Sequence, residues 1–151
     1  MLFFDYKTGE IIYCFVNNEI NETDKIEVSG DVDEDVFEGK HIASIHNHPF
    51  KFTAPPSIEN FQILELEFED YEIICGWEEL WVVESKDLLM EKDIDDIHEK
   101  MKKLYGHAND LNPDSSIEEL NKSYGTLLLN YFSKIENINL KRRSLKWLLN
   151  F

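Results

Sequence analysis

The hydrophobic period changes once along this chain, near Lys86, and no single type of regular structure satisfies both sides of the change. Before Lys86 the apolar residues come in short β-rich runs, whereas after it Ile94, Ile97, Met101 and Leu104 recur at helical spacing. A chain of this kind must build a sheet and pack helices on it. Its 151 residues suffice for one domain with a real core but not for two large ones. We therefore expect an α/β (α+β) fold with a β-sheet and flanking helices. Residues 1–85 form its sheet-rich region, and residues 86–151 form a C-terminal helical extension packed on the same domain.

Within the first region, residues 2–17 hold two β-rich runs around Lys7-Thr8-Gly9, the pattern of a tight hairpin with glycine at the turn. Lys25 to Val28 alternates briefly, and the acidic run from Asp31 to Glu38 reads as a loop or short helix. His41 to His48 reads as a strand ended by Pro49. Pro55-Pro56-Ser57 looks like a helix start with Ser57 as cap and Phe61, Leu64 and Leu66 on the apolar side. Tyr71–Cys75 and Leu80–Val83 predict a second hairpin around Gly76 to Glu79, where Trp77 packs or lines a groove. Beyond Lys86, Asn112-Pro113-Asp114 separates two helices. Ser115 or Ser116, with Glu118 or Glu119 three residues on, supplies a capping box for the second. The final segment, from Asn139, reads as a continuation of that helix or a third one that packs Trp147 and Leu148 on the core.

Composition excludes several function classes. Thirty-one acidic against 15 basic side chains give a formal charge of −16, which repels nucleic-acid phosphates. No stretch approaches the roughly 20 apolar residues of a bilayer-spanning helix, and the amino-terminal run stops at Asp5 without a basic flank, so a cytoplasmic protein is expected. The two cysteines, Cys14 and Cys75, fall in strand-like apolar runs and read as buried thiols rather than a disulfide framework.

The chemistry concentrates in Ile45-His46-Asn47-His48-Pro49. Alternate residues of a strand share a face about 6.5–7 Å apart, so both imidazoles can converge on one metal ion. The helix after Ser57 can bring a third ligand from its first turn, and a catalytic zinc keeps its fourth position open. His41 is out of phase with this pair. His98 and His107 sit in polar helical surroundings, so these three read as structural or solvated.

His-Asn-His-Pro followed by Pro-Pro-Ser and a helix resembles the JAB/MPN (JAMM) metalloprotease family, whose motif reads His-x-His-Pro, a short loop, then Pro-Ser-x-x-Asp. The spelling is most similar to RadC-type and toxin-associated JAB domains, and the resemblance covers roughly residues 2–84. It implies a JAB/MPN-like central mixed β-sheet with flanking helices and a zinc-dependent peptidase or isopeptidase. The substrate would be a protein or peptide, ubiquitin-like tails included. His46 and His48 become zinc ligands, and Ser57 assists the oxyanion while capping the helix. Counting from Ser57 puts Asn60 at the position of the family's Asp, whereas counting from His48 puts Glu59 there. Asn60 is the residue expected to face the site, with Glu59 as its rival. The upstream glutamate that moves the proton corresponds best to Glu10, ahead of Glu19, Glu22 and Glu27. The alternative is a catalytically degenerate JAB/MPN-like module that keeps the fold and binds a protein partner.

Overall fold

A computed structural model describes residues 1–15, 33–48, 55–62, 69–76, 78–86, 89–111 and 113–145, with the side chains of Glu34, Glu59 and Gln62 outside the description. Strands β1 (Leu2–Asp5) and β2 (Ile11–Cys14) form the first hairpin, and a 3-10 turn occupies Glu34–Phe37. Then come β3 (Ile42–Asn47), the short helix α1 (Glu59–Gln62), β4 (Glu69–Cys75) and β5 (Glu79–Ser85). Helices α2 (Glu91–Leu111) and α3 (Ile117–Phe132) follow, and β6 (Ile138–Ser144) closes the order. The six strands make one mixed sheet in the order β2-β1-β3-β4-β5-β6, in which β3 and β4 are parallel and every other pair is antiparallel. The α/β expectation of a mixed sheet with flanking helices holds at this level.

Local chemistry accounts for the elements. At the first turn Gly9 takes φ +79°, a conformation that glycine reaches without a Cβ clash, and its N–H donates to the Asp5 carbonyl at 2.7 Å. Ser116 caps α3 by accepting from the Glu119 N–H, while the Glu119 carboxylate accepts from the Ser116 N–H at 3.0 Å. The segment from Asn139 departs from expectation. It belongs to a strand, β6, which pairs with β5, so residues 138–144 extend the sheet instead of a helix. The reason lies in its period of two: Ile138 and Leu140 turn inward, and the basic side chains beyond them occupy an edge strand, where charge discourages pairing with other chains. Leu64, Leu66, Trp77, Trp147 and Leu148 lie outside the described residues, as does the Lys25–Val28 alternation.

One face of the sheet carries two apolar clusters. The larger packs Ile74, Trp81, Val83, Ile138 and Leu140 of the sheet against Phe61 of α1 and against Ile97, Met101, Leu120, Leu128 and Phe132 of α2 and α3. Gly125 of α3 lets the helix approach Trp81, since a Cβ there would stand 3.0 Å from the indole. The smaller cluster gathers Phe3, Phe37 and Ile42, with Ile12, Tyr13 and Phe15 beside them. Register and parity put Ser44, His46 and Glu72 on this same face, in the seam between the clusters. Both cysteines are free. Cys14 is exposed on β2 rather than buried, because β2 is an edge strand and Cys14 points away from the clustered face, while Cys75 is half-buried.

A candidate histidine and carboxylate site

His46 and His48 stand where the strand pattern puts them. The parallel ladder runs from Ile42 to Asn47 on β3, and the His48 N–H continues it by donating to the Cys75 carbonyl at 3.0 Å. Their rings lie 5.1 Å apart, centroid to centroid, at an interplanar angle of 42°. Asn60 reaches the same place from α1. Its Oδ1 accepts from the Ser57 N–H at 2.6 Å, which fixes the amide so that Nδ2 faces inward. That Nδ2 lies 3.3 Å from His46 Nε2 and donates to Glu72 Oε1 at 3.0 Å. Asn60 thus faces the site as expected but presents a donor, whereas a metal ligand at this position would have to present oxygen.

Glu72 is the residue that sequence reasoning missed. It sits on β4 opposite Ser44, its side chain is wholly buried, and its Oε1 lies 3.2 Å from His46 Nδ1. Its signal was available: in Glu69-Asp70-Tyr71-Glu72-Ile73-Ile74, Glu72 has the same parity as Ile74, which puts a carboxylate on the inward face of a buried strand. Burial pushes the Glu72 carboxyl up to about 8, with the bond from Asn60 opposing that rise. Burial, aided by the charge of the amino terminus, holds the His46 imidazole down at about 4. In the metal-free chain both groups are therefore neutral at pH 7.

The surroundings are short of partners. Among the described residues, the buried side-chain polar atoms without a hydrogen bond are Ser44 Oγ, His46 Nδ1, both oxygens of Glu69 and Glu72 Oε2. All four residues belong to β3 and β4. Burial raises Glu69 well above the usual carboxylate range; Ser44 stands close enough to oppose this, but neither side chain makes a bond of ordinary geometry. Buried polar atoms in folded proteins are nearly always paired with protein, water or ions.

Other expected site residues fall elsewhere. Glu10 is exposed and pairs with Lys40 at 2.9 Å. Its carbonyl accepts from Asp5, which is level with Ile42, so Glu10 stands two strands from β3 and about 13 Å along it from His46. The structure therefore does not bring Glu10 to the histidines; the hairpin register carries it to the opposite end of the sheet. Ser57 is half-buried at the entry to α1 and meets Asn60 through its backbone N–H. Glu59 lies in α1 with its side chain outside the described residues, as are Glu19, Glu22 and Glu27 entirely. His41 is 3.7 Å from Asp70, away from the pair, and His98 and His107 lie on α2.

Among the described residues, no three His, Cys, Asp or Glu side chains are arranged as a group able to hold a metal ion. Nor is any described helix long and apolar enough to cross a membrane. The chain matches no protein-family model, no curated protein and no solved structure.

Proposed function

We propose that the chain is a zinc-dependent hydrolase of JAB/MPN type that cleaves a peptide or isopeptide bond in a protein substrate. One observation carries this reading: two imidazoles from one strand lie 5.1 Å apart beside a wholly buried carboxylate with an unpaired oxygen. The donor chemistry fits zinc, which takes imidazole nitrogen and carboxylate oxygen. His46 and His48 would hold the ion, and zinc, when bound, supplies Lewis acidity toward a carbonyl. The protein's own part is preparation. Burial keeps His46 neutral, so one of its ring nitrogens already carries a free lone pair while the other keeps its hydrogen. The Ser57 N–H fixes the Asn60 amide, and Asn60 in turn orients the Glu72 carboxyl. Ser57, at the helix entry, would support a developing oxyanion through its hydroxyl.

Metal analysis of untagged protein, with His46→Ala and His48→Ala as controls, tests the reading alongside hydrolysis of peptide and isopeptide substrates. One zinc ion per chain in the wild type and none in the variants is expected. A wild type that neither carries nor takes up zinc refutes it.

The orientation of Asn60 favours a second reading, that of a degenerate module serving as a protein-binding subunit. Nδ2 bridges His46 and Glu72, a cross-link between imidazole and carboxyl that needs no ion. Asn60→Asp separates the two readings. Zinc uptake and hydrolysis that appear only in the variant support the module, whereas a wild type already active, with nothing gained by the variant, excludes it.

A further inference from the structure

We propose that the chain pairs with a second copy of itself, as a two-fold dimer, through the sheet face opposite the helices; the inference is independent of the metal reading. Strand register decides what that face carries. Leu2 stands opposite Ile45, Ile45 opposite Ile73, Ile73 opposite Val82 and Val82 opposite Lys141, so a row of side chains runs apolar across four strands before it meets a charge. The rows on either side add Phe4 and Tyr71, and Cys75 and Leu80. These positions alternate with Ser44, Glu72, Ile74 and Val83 of the clustered face, and none of them belongs to either apolar cluster. All three helices contribute to the larger cluster and so lie on the other side. Strands of a parallel pair such as β3 and β4 are ordinarily covered on both faces, and among the described residues the helices cover one. Leu2, Ile45, Ile73 and Val82 are half-buried, and Ile11, at the β2 corner of this face, is 64% exposed. A contiguous apolar surface of this extent marks an interaction site.

Area and charge fit a second copy. Six strands about 4.8 Å apart and three rows about 6.8 Å apart span roughly 590 Å², so two such faces laid together bury about 1,200 Å². That clears the roughly 1,000 Å² a specific interface needs. The chain carries −16, yet the acid within these rows is Glu84 alone, against Lys141 and Arg143. Tyr71, Asn139 and Lys141 already donate to its carboxylate. The six acids of α2 lie in the helical layer instead. In a face-to-face dimer the two helical layers are outermost, about 30 Å apart, which is more than three Debye lengths at physiological salt. Docking of this kind joins apolar surfaces and keeps the acidic layers from repelling each other. A two-fold axis parallel to the strands lays β6 of each copy over β2 of the other, so Lys141 and Arg143 do not meet their own counterparts, and Ile45 and Ile73 cross at the centre.

The test is sedimentation equilibrium of the untagged full chain with chelator present, from about 1 to 100 µM, where an interface of this size should associate. The mass should rise from 17.9 kDa toward twice that value. Ile73→Arg would bury an unpaired charge in each copy and should weaken the dimer more than about 100-fold. Ile117→Lys, at an exposed position on α3, should leave it unchanged. Circular dichroism checks the folding of both variants. Cys75 is a free thiol within the face, so its alkylation in the wild type should slow as the protein concentration rises. A wild type that stays at 17.9 kDa throughout overturns the proposal, and that is also the outcome if the face serves a different protein. A dimer that Ile73→Arg leaves intact, or that Ile117→Lys disrupts, overturns it as well. If Ile73→Arg fails to fold, the thiol decides: protection that grows with concentration supports the face, and a constant rate overturns it.

Discussion

Glu72→Gln should abolish a pH dependence that the wild type carries in its fold. The glutamate titrates near 4.5 when unfolded and near 8 when folded, so between those values the native state binds the extra proton. A raised carboxyl contributes stability at low pH that is lost as pH rises from about 4.5 to about 8. Integrating between pH 5 and pH 8, the loss assigned to this one group is on the order of 3 kcal/mol, and because the side chain is wholly buried no solvent discount applies. His46 acts with the opposite sign. Its depressed value means that the folded state gains stability as pH rises from about 4 to 6.5, so the two slopes nearly cancel in the mildly acidic range. Only the loss from Glu72 remains above it. Glutamine has the same shape, cannot ionise, and can still accept from Asn60 Nδ2. Urea unfolding of wild type and variant, both with chelator present, should therefore diverge with pH. The variant should gain about 3 kcal/mol relative to wild type between pH 5 and pH 8, equivalent to about 6–12 °C in midpoint. Parallel stability profiles across that range would refute the burial of an ionisable Glu72 on which the site is built.

Three further outcomes follow from other parts of the molecule. Glu79 is buried, accepts from Trp81 Nε1 at 3.0 Å and pairs with Arg142, so Glu79→Ala should cost about 3–5 kcal/mol in denaturant unfolding; a cost under 1 would refute this role. Gly9→Ala forces a Cβ into φ +79° and should cost about 1–2 kcal/mol, whereas Gly9→Asn should cost clearly less; equal losses would argue against backbone strain as the cause. Glu69 is buried with both oxygens unpaired, so Glu69→Met should raise the melting temperature at pH 8 in the metal-free chain, with a gain of about 1–4 kcal/mol. A lower melting temperature would show that Glu69 has a structural partner.

The parts of the fold that could be read from sequence are those in which one periodic signal dominates. Ile94, Ile97 and Met101 announce α2 and are buried as their spacing requires, and Ser116 with Glu119 announces the start of α3. The first hairpin follows from Gly9 and its flanking β-formers. β6 was hidden because its basic run, Lys141 to Arg143, looks like one side of an amphipathic helix; only tertiary pairing with β5 shows that Ile138 and Leu140 are its inward positions. In the site, His46 and His48 were visible through a period of two, and Asn60 through its distance from Ser57. Glu72 was not, because it lies on a different strand and reaches His46 only through the parallel β3–β4 register. Glu10 was misplaced for the same reason in reverse: closeness in sequence to the first strands says nothing about which end of the sheet a hairpin puts it on.

The location of the polar seam bears on why it exists. Two apolar clusters flank Ser44, His46 and Glu72 on one sheet face, and a continuous apolar face would join them with better packing. Taking the side chains of Ser44, Glu69 and Glu72 out of water costs stability that an apolar face would not, an expense the fold did not need in order to form. Residues that break a local rule for stability are expected where function imposes them. The seam also has the right construction for such a role. β3 and β4 are central strands, braced by neighbours on both sides, so the imidazole and the carboxyl are held on rigid backbone rather than on loops. On the zinc reading proposed above, an ion held by the paired histidines would offset part of that cost.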